Sequence, residues 1–277
     1  MNVGVVGLGL IGGSMARAYK QEGHTVLAYD TDENTLGYAL LAGIIDNRLS
    51  KTDLMNIELL FIALYPEASE EYLKNNAGDI SKNCVVIDLC GTKRRICDTG
   101  FALAEKYGFT FIGGHPMAGT QFSGIKYSRS NLFKGAPMVI VPPKYDDILL
   151  LDRIKKLLEP AGFGAISVTT AAEHDKMIAF TSQLAHVVSN AYVKSETAKA
   201  HGGFSAGSYK DMTRVAWLNE KMWTELFMEN KDYLRHELEL IIKALEEYKV
   251  AMENDDKDRL QALLKEGRIA KEQVDGK

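Results

Sequence analysis

A short apolar run, Asn2-Val3-Gly4-Val5-Val6, passes through Gly7-Leu8-Gly9-Leu10-Ile11-Gly12-Gly13-Ser14 into a helical pattern that lasts to about Lys20. Strand, glycine turn and helix in immediate succession limit the fold more than any other stretch of this chain. The glycines permit a tight turn and close packing of helix on strand. The N–H groups that open the helix, together with its dipole, can receive a pyrophosphate. A second strand pattern, Thr25 to Tyr29, ends in Asp30, and a helix from about Asp32 to Ala42 follows. Strand signals recur at Leu59–Ala63, Val85–Asp88, Thr110–Ile112, Met138–Val141 and Ala165–Val168, with helical stretches between most of them. Such alternation predicts a mainly parallel sheet covered on both faces.

After about Val168 the strand signals stop. In a chain of 277 residues two domains are expected. We divide it into 1–168, an α/β domain of the Rossmann type, and 169–277, an all-α domain. Glu173 to about Ala200 is expected to form one long helix, with Met177, Phe180, Thr181, Leu184, Val188 and Ala191 at helical spacing. No charge occurs from Met177 through Val193, yet Ser182, Gln183, His186, Ser189 and Asn190 interrupt the apolar surface. Too polar to span a membrane and too uncharged to face bulk water, this helix is expected to be buried between domains or subunits. A glycine-rich break, His201 to Gly207, leads to Asp211-Met212-Thr213-Arg214. Farther on, Leu234, Leu238, Ile241, Leu245, Tyr248 and Met252 form a heptad-like seam. It serves either packing within the helical domain or a subunit interface. Asp255 to Lys277 reads as a charged amphipathic helix and tail.

The net charge of −4 gives no reason to expect nucleic acid or an anionic membrane as partner, and Lys93-Arg94-Arg95 is the only tight basic patch. Three cysteines, Cys84, Cys90 and Cys97, lack C-x-x-C spacing, which points away from a disulfide framework and from zinc and towards a reducing cytoplasm. Val3 to Met15 is apolar enough to imitate a signal-peptide core but has no basic segment before it, so none is expected.

Candidate site residues follow from position. Gly7, Gly9 and Gly12 have the context of a dinucleotide turn, and Asp30 stands where an acid bonds the adenosine ribose. A carboxylate there repels a 2′-phosphate, and Thr31-Asp32-Glu33 brings no arginine, so NAD is expected rather than NADP. Ligands of open parallel sheets sit at the carboxyl ends of the strands. Those ends are the glycine turn, Asp30, Leu64-Tyr65-Pro66, Cys90-Gly91-Thr92-Lys93 and Gly113-Gly114-His115-Pro116. Pro116 disfavours helical backbone at His115, and a neutral imidazole beside a nicotinamide suits hydride transfer from a hydroxyl carbon. His186 reads as either a satisfied core histidine or part of a substrate wall, with Ser182 and Gln183 in reach. Arg214 either clamps a carboxylate or pairs with Asp211. Cys90 is read as a spectator, and His24, His174, His201 and His236 as ordinary surface histidines.

Gly7 to Ser14, His115-Pro116-Met117-Ala118-Gly119-Thr120, and Asp211-Met212-Thr213-Arg214 followed by Trp223 together resemble the prephenate dehydrogenase family of tyrosine biosynthesis. The resemblance runs over essentially the whole chain. It implies a Rossmann domain followed by a helical dimerisation domain, and a cytoplasmic homodimer. It also implies NAD-dependent oxidative decarboxylation of prephenate to 4-hydroxyphenylpyruvate, CO2 and NADH, with no metal. Carried over by position, His115 matches the catalytic histidine that bonds the substrate's ring hydroxyl. His186 and Arg214 match substrate-binding residues, Thr92, Gln121 and Gln183 further substrate contacts, and Asp211 and Trp223 supporting ones. Gly7, Gly9, Leu10, Ile11, Gly12, Asp30, Leu64 and Tyr65 are assigned to the cofactor.

The chain departs from the family's pattern at three places. Gly91 stands where many relatives have a serine bonding the catalytic histidine, Gln121 where some have glutamate, and Gln183 where some have another histidine. Thr92 or another donor is expected to replace the serine. Without the extra regulatory domain that some relatives append, any feedback by tyrosine is expected at the active site or the dimer interface. Alternatives are arogenate as substrate, a related hydroxyacid dehydrogenase acting through Lys176, and a non-catalytic NAD-binding regulator. Phe180 stands where the lysine enzyme would want asparagine.

Overall fold

In the computed structural model, which describes residues 1–120 and 122–276, the first half of the chain alternates strand and helix as its pattern predicts. The elements are β1 (Asn2–Val6), α1 (Leu10–Gln21), β2 (Thr25–Tyr29), α2 (Glu33–Leu41), β3 (Asn47–Arg48), β4 (Leu59–Ile62), α3 (Pro66–Asn76), β5 (Val85–Asp88), α4 (Arg94–Tyr107), β6 (Thr110–Pro116), β7 (Pro137–Val141), α5 (Ile148–Leu158) and β8 (Ala165–Val168). They build one eight-stranded sheet in the order β3-β2-β1-β4-β5-β6-β7-β8. Every neighbouring pair is parallel except β6 and β7.

Side chains alternate across the sheet and fill a core on each face. Leu59 and Phe61 of β4 pack with Met15 and Tyr19 of α1 on one side. Leu60 and Ile62 pack with Leu73 of α3 and Ile96 of α4 on the other. β6 changes partner along its length. Thr110–Ile112 pair with β5, and Gly113–Pro116 pair antiparallel with β7. His115 is thus held in extended backbone opposite Val139, within regular structure that continues past the pattern Thr110–Ile112.

The helical part comprises α6 (Ala171–Ile178), α7 (Ala185–Tyr192), α8 (Gly207–Thr213), α9 (Glu220–Glu229), α10 (Lys231–Glu253) and α11 (Lys257–Asp275). α6 and α7 are joined without a break by a π-helical segment, Ala179–Leu184. The long helix therefore ends at Tyr192, not Ala200, and residues Glu196–Ala200 form a separate 3-10 turn. The wider π turn also shifts the inward face. His174, Asp175, Ile178, Ala179, Gln183 and Leu184 are buried, whereas Met177 and Phe180 are 54% and 58% exposed. The apolar spacing had placed those two inside; Met177 precedes the π segment and is turned off the His174–Ile178 face by the ordinary helical period.

Two compact units result, Met1–Asn230 and Lys231–Lys277. Within the second, α10 and α11 are joined by a hydrogen bond from the Tyr248 hydroxyl to the Leu263 carbonyl and by an Arg259–Glu247 ion pair at 2.6 Å. On the heptad-like seam Leu234 is buried and Leu245 and Met252 are exposed. Among the described residues no helix is long and apolar enough to cross a membrane.

Candidate active site

The glycine turn separates three structural jobs. Gly7 has φ +89°, and a Cβ there would stand 2.5 Å from the Ala63 carbonyl oxygen. A Cβ on Gly12 would meet the Gly7 carbonyl oxygen at 1.8 Å, so α1 sits against the turn at a distance no side chain allows. Gly9, the residue before α1, is exposed, and a Cβ there would meet nothing within 4 Å, which leaves the backbone open to a ligand. No side chain caps α1 and no acid lies in its first turn, so its leading N–H groups face outward unpartnered by a cap. Asp30 braces the turn, its Oδ2 accepting from the Leu8 N–H at 2.7 Å and its Oδ1 from the Asp32 N–H at 2.9 Å. Leu10, Ile11 and Leu64 are partly exposed around it, and Tyr65 precedes α3 and is 38% exposed. This is a cradle that fits a dinucleotide pyrophosphate, with a carboxylate placed for a ribose.

Farther along the same sheet edge, His115 Nδ1 lies 2.9 Å from His174 Nε2, and His174 Nδ1 lies 2.8 Å from Asp175 Oδ1. His174 is 3% exposed, which overturns its reading as a surface histidine. Asp175 is anchored across the cleft, accepting from the Lys93 N–H at 2.7 Å, the Arg94 N–H at 3.0 Å and Arg94 Nε at 3.2 Å. Lys93 is wholly buried and forms an ion pair with buried Asp88, whose other oxygen accepts from the Gly114 N–H at 3.1 Å. The tight basic patch seen in the sequence is therefore not one, since Lys93 is internal, Arg94 serves Asp175 and Arg95 pairs with Glu70. Burial, with the His174 ring and the Lys93 ammonium close by, pushes the His115 pKa well below its ordinary 6.5, so its ring is neutral at pH 7. Gly113 and Gly114 make room for Cys97 and for the Asp88 backbone rather than for a ligand. Cys90 is buried and bonded to the Ser69 hydroxyl at 3.2 Å, and burial raises its thiol pKa, the character of a spectator.

A second group surrounds His186 on α7. Its Nδ1 donates to the Val215 carbonyl at 2.8 Å, and its ring lies against Trp223 with centroids 3.9 Å apart. The neighbouring Ser189 hydroxyl donates to the Met212 carbonyl at 2.7 Å and Asn190 to the Ala216 carbonyl at 3.4 Å. The polar stripe of α7 thus docks the segment that carries Arg214, instead of lying bare as a wall. Arg214 follows directly on α8 and is exposed, its charge helps burial lower the His186 pKa, and no ion pair to Asp211 is present among the described residues.

Helix α9 ties the two groups together. Trp223 packs against His186 with the ring planes tilted by 42°, and Leu226 lies 3.1 Å from where a Cβ on Gly91 would stand. The Glu229 carboxylate accepts from the Thr92 hydroxyl at 2.6 Å. Asn230, just past the helix, donates to the Asp175 carbonyl and to Gln183 Oε1, each at 2.8 Å. From Trp223 to Asn230 the chain rises roughly 10 Å along the helix, which sets the span between the groups. Two expected substrate contacts are altered by this arrangement. Gln183 is 1% exposed with its amide also donating to the Leu226 carbonyl, a framework contact. Thr92 is 3% exposed with its hydroxyl given to Glu229. Gln121 lies outside the described residues.

Two family descriptions match this chain: "Prephenate dehydrogenase, nucleotide-binding domain" over residues 15–167 and "Prephenate dehydrogenase, dimerization domain" over residues 170–266. The chain belongs to the prephenate dehydrogenase family. The prephenate dehydrogenase of Bacillus subtilis is 27% identical over 267 residues, 92% of this chain and 71% of the relative. The cyclohexadienyl dehydrogenase of Zymomonas mobilis is 27% identical over 283 residues, 98% of this chain and 94% of the relative. A crystal structure of prephenate dehydrogenase from Aquifex aeolicus, in complex with hydroxyphenyl propionate and NAD+, superposes with a TM-score of 0.84 at 27% identity, covering 99% of this chain and 98% of that one. Synechocystis arogenate dehydrogenase superposes with a TM-score of 0.80 at 26% identity, covering 99% and 100%.

For a prephenate dehydrogenase family member, the residues that sequence reasoning missed are His174 and Asp175. A signal for them did exist. Thr170 caps α6 by accepting from the Glu173 N–H, which fixes the helix start and puts His174 and Asp175 one turn before Ile178 and Ala179 on the buried face. The larger apolar side chains of Met177 and Phe180 drew attention to the wrong face.

Proposed function

We propose that this chain is an NAD-dependent prephenate dehydrogenase that converts prephenate to 4-hydroxyphenylpyruvate, CO2 and NADH. The observation that carries this reading is His115, a neutral imidazole at the carboxyl edge of the nucleotide-binding sheet whose Nε2 has no hydrogen-bond partner among the described residues. Gly7, Gly9, Leu10, Ile11 and Gly12 would hold NAD, with Asp30 bonding its ribose and Leu64 and Tyr65 beside it, and the bound cofactor would supply the hydride acceptor. His115 Nε2 draws the proton of the substrate's ring hydroxyl as hydride departs from the same carbon. The bond from ring to carboxylate breaks, CO2 leaves, and its electron pair completes the aromatic ring. The proton returns to the phenol oxygen, so no net proton is released. Because aromatisation drives the loss of CO2, the site needs no strong stabilisation of a carbanion.

Arg214 holds a substrate carboxylate. His186, with its Nδ1 proton fixed on the Val215 carbonyl, presents a bare Nε2 that can only accept. Trp223 supports that ring and Asp211 the Arg214 segment. The same acceptor favours a second reading, arogenate, whose amine is a donor where prephenate has a keto group. We assign residues 1–168 to the nucleotide domain and 169–277 to substrate binding and dimerisation. A homodimer accounts for Met177, Phe180, Tyr192 and Trp217, which are 48% to 78% exposed in the isolated chain. Three free cysteines, all buried, suit a cytoplasmic enzyme. The test is NADH formation with prephenate and with arogenate side by side, each with NAD and with NADP. Turnover of prephenate with NAD is expected, and no turnover of either substrate overturns the proposal.

A further inference from the structure

The placement of protons around His115 can be worked out from its partners outward. Asp175 accepts three donors from Lys93 and Arg94 in addition to facing His174; against burial, which raises it, the His174 contact first and then the Arg94 and Lys93 N–H groups hold its carboxyl below the usual range. An ionised carboxylate only accepts, so the proton of the 2.8 Å contact belongs to His174 Nδ1. A neutral His174 then presents a bare Nε2. Across 2.9 Å that nitrogen can only accept, so His115 Nδ1 is the donor. The remaining nitrogen of His115, Nε2, is left without a proton and free to act as base.

We propose that His174, backed by Asp175, is the positioning residue of His115: it fixes the ring proton on Nδ1, holds the ring's orientation, and so presents Nε2 to the substrate hydroxyl. This rests on the reading of His115 as the base and deepens it. Gly91 contributes no side chain to the task, and Leu226 fills the space beside it, so the ring is held from α6 rather than from the loop after β5. When Nε2 takes a proton, His174 and Asp175 lie in line to share the charge. The other charged groups around the two rings are Asp88 from β5, Lys93 from the loop before α4 and Arg94 from α4. The Asp88–Lys93 pair is internally neutral, and Asp175 and Arg94 balance each other. A second proton, on His174 Nε2, would reverse the bond and place the His115 proton on Nε2, switching the base off.

Long-range proton–nitrogen NMR spectra of the full chain labelled with 15N-histidine report the tautomers directly at neutral pH. Both His115 and His174 are expected as Nδ1–H tautomers. In His174→Phe the His115 ring is expected to move to Nε2–H or to a mixture, with kcat down by about 100-fold and KM within about threefold, the split that loss of general-base alignment gives. His174→Gln, whose amide oxygen can accept from Nδ1–H, is expected to recover about tenfold of that loss. An Nε2–H tautomer of His115 in the unaltered protein overturns the proposal, as does an Nδ1–H tautomer that persists in His174→Phe. Equal kcat in the Phe and Gln variants also overturns it, because a merely structural histidine would give that result. Should the unaltered protein turn over neither prephenate nor arogenate, the functional reading fails while the tautomer spectra still decide the role of His174.

Discussion

His115 and Arg214 have separable tasks in the proposed reaction, proton transfer and substrate capture, and substitutions should separate them. His115→Asn is expected to lower kcat by about two to four orders of magnitude, the span of general acid-base assistance, while NAD still binds. A near-normal rate in steady-state assays would remove His115 from the chemistry. Arg214 has no ion pair to Asp211, so Arg214→Ala is expected to raise KM at a cost of roughly 1.5–3 kcal/mol with little change in kcat. An unchanged Michaelis constant would leave the arginine without a substrate. Gly12→Ala places a methyl group 1.8 Å from the Gly7 carbonyl oxygen, so the turn must open. NAD titration by fluorescence is expected to show affinity reduced by at least about tenfold, since the N–H cradle and the α1 dipole are displaced together. The glycine turn, Asp30 and His115 were legible in the sequence because each is fixed by its immediate neighbours. His174 was not, because its meaning comes from a partner 59 residues away.

At the scale of elements, the helix that runs from α6 to α7 was legible as a helix, but its faces were not. The π segment Ala179–Leu184 adds a residue to one turn and rotates everything after it relative to a regular helix. That rotation lets His174 and Asp175 face β6 and α4 while Ser189 and His186 reach the carbonyls of Met212 and Val215. Insertion of one alanine between Ala185 and His186, in the regular first turn of α7, should turn the rest of α7 by roughly 100°. The expected outcome is a folded chain that binds NAD normally but has lost turnover, measured by NAD titration alongside the NADH assay. Retained turnover would show that the register of α7 is immaterial. Helix α9 carries a comparable load, and its sequence advertised only Trp223; its contacts to Gly91, Thr92 and Asp175 are set by docking.

For the whole molecule, the histidines predict how stability depends on pH. Burial lowers the pKa of His115, His174 and His186 below the ordinary 6.5. The unfolded chain therefore binds protons at these positions before the folded one does, and stability present above about pH 6.5 is lost as pH falls below it. Burial raises the pKa of Glu229, which opposes the trend, but only nearer the carboxylate range. Thermal melts are thus expected to show a midpoint that falls between about pH 7 and pH 5, and a flat profile would contradict the buried neutral state of these rings. The proposed homodimer gives a further outcome. Phe180→Glu puts a charge on an apolar face that is exposed in the isolated chain, and sedimentation is expected to shift from dimer to monomer, whereas an unaltered mass would place the interface elsewhere.

The sequence by itself determined the alternation of strand and helix, the glycine turn with Asp30 at the next strand end, and the extended histidine before Pro116. All of these follow from periodicities and backbone preferences that act over a few residues. Tertiary structure alone decided that Lys93 is internal, that Gln183 belongs to the framework, and that His174 with Asp175 faces the His115 ring. Lys93 is taken inside by Asp88, five positions away, while Gln183 meets partners 43 and 47 positions away and His174 one 59 away. A buried polar group must find its partner wherever packing brings one, and local pattern carries no record of which partner that is.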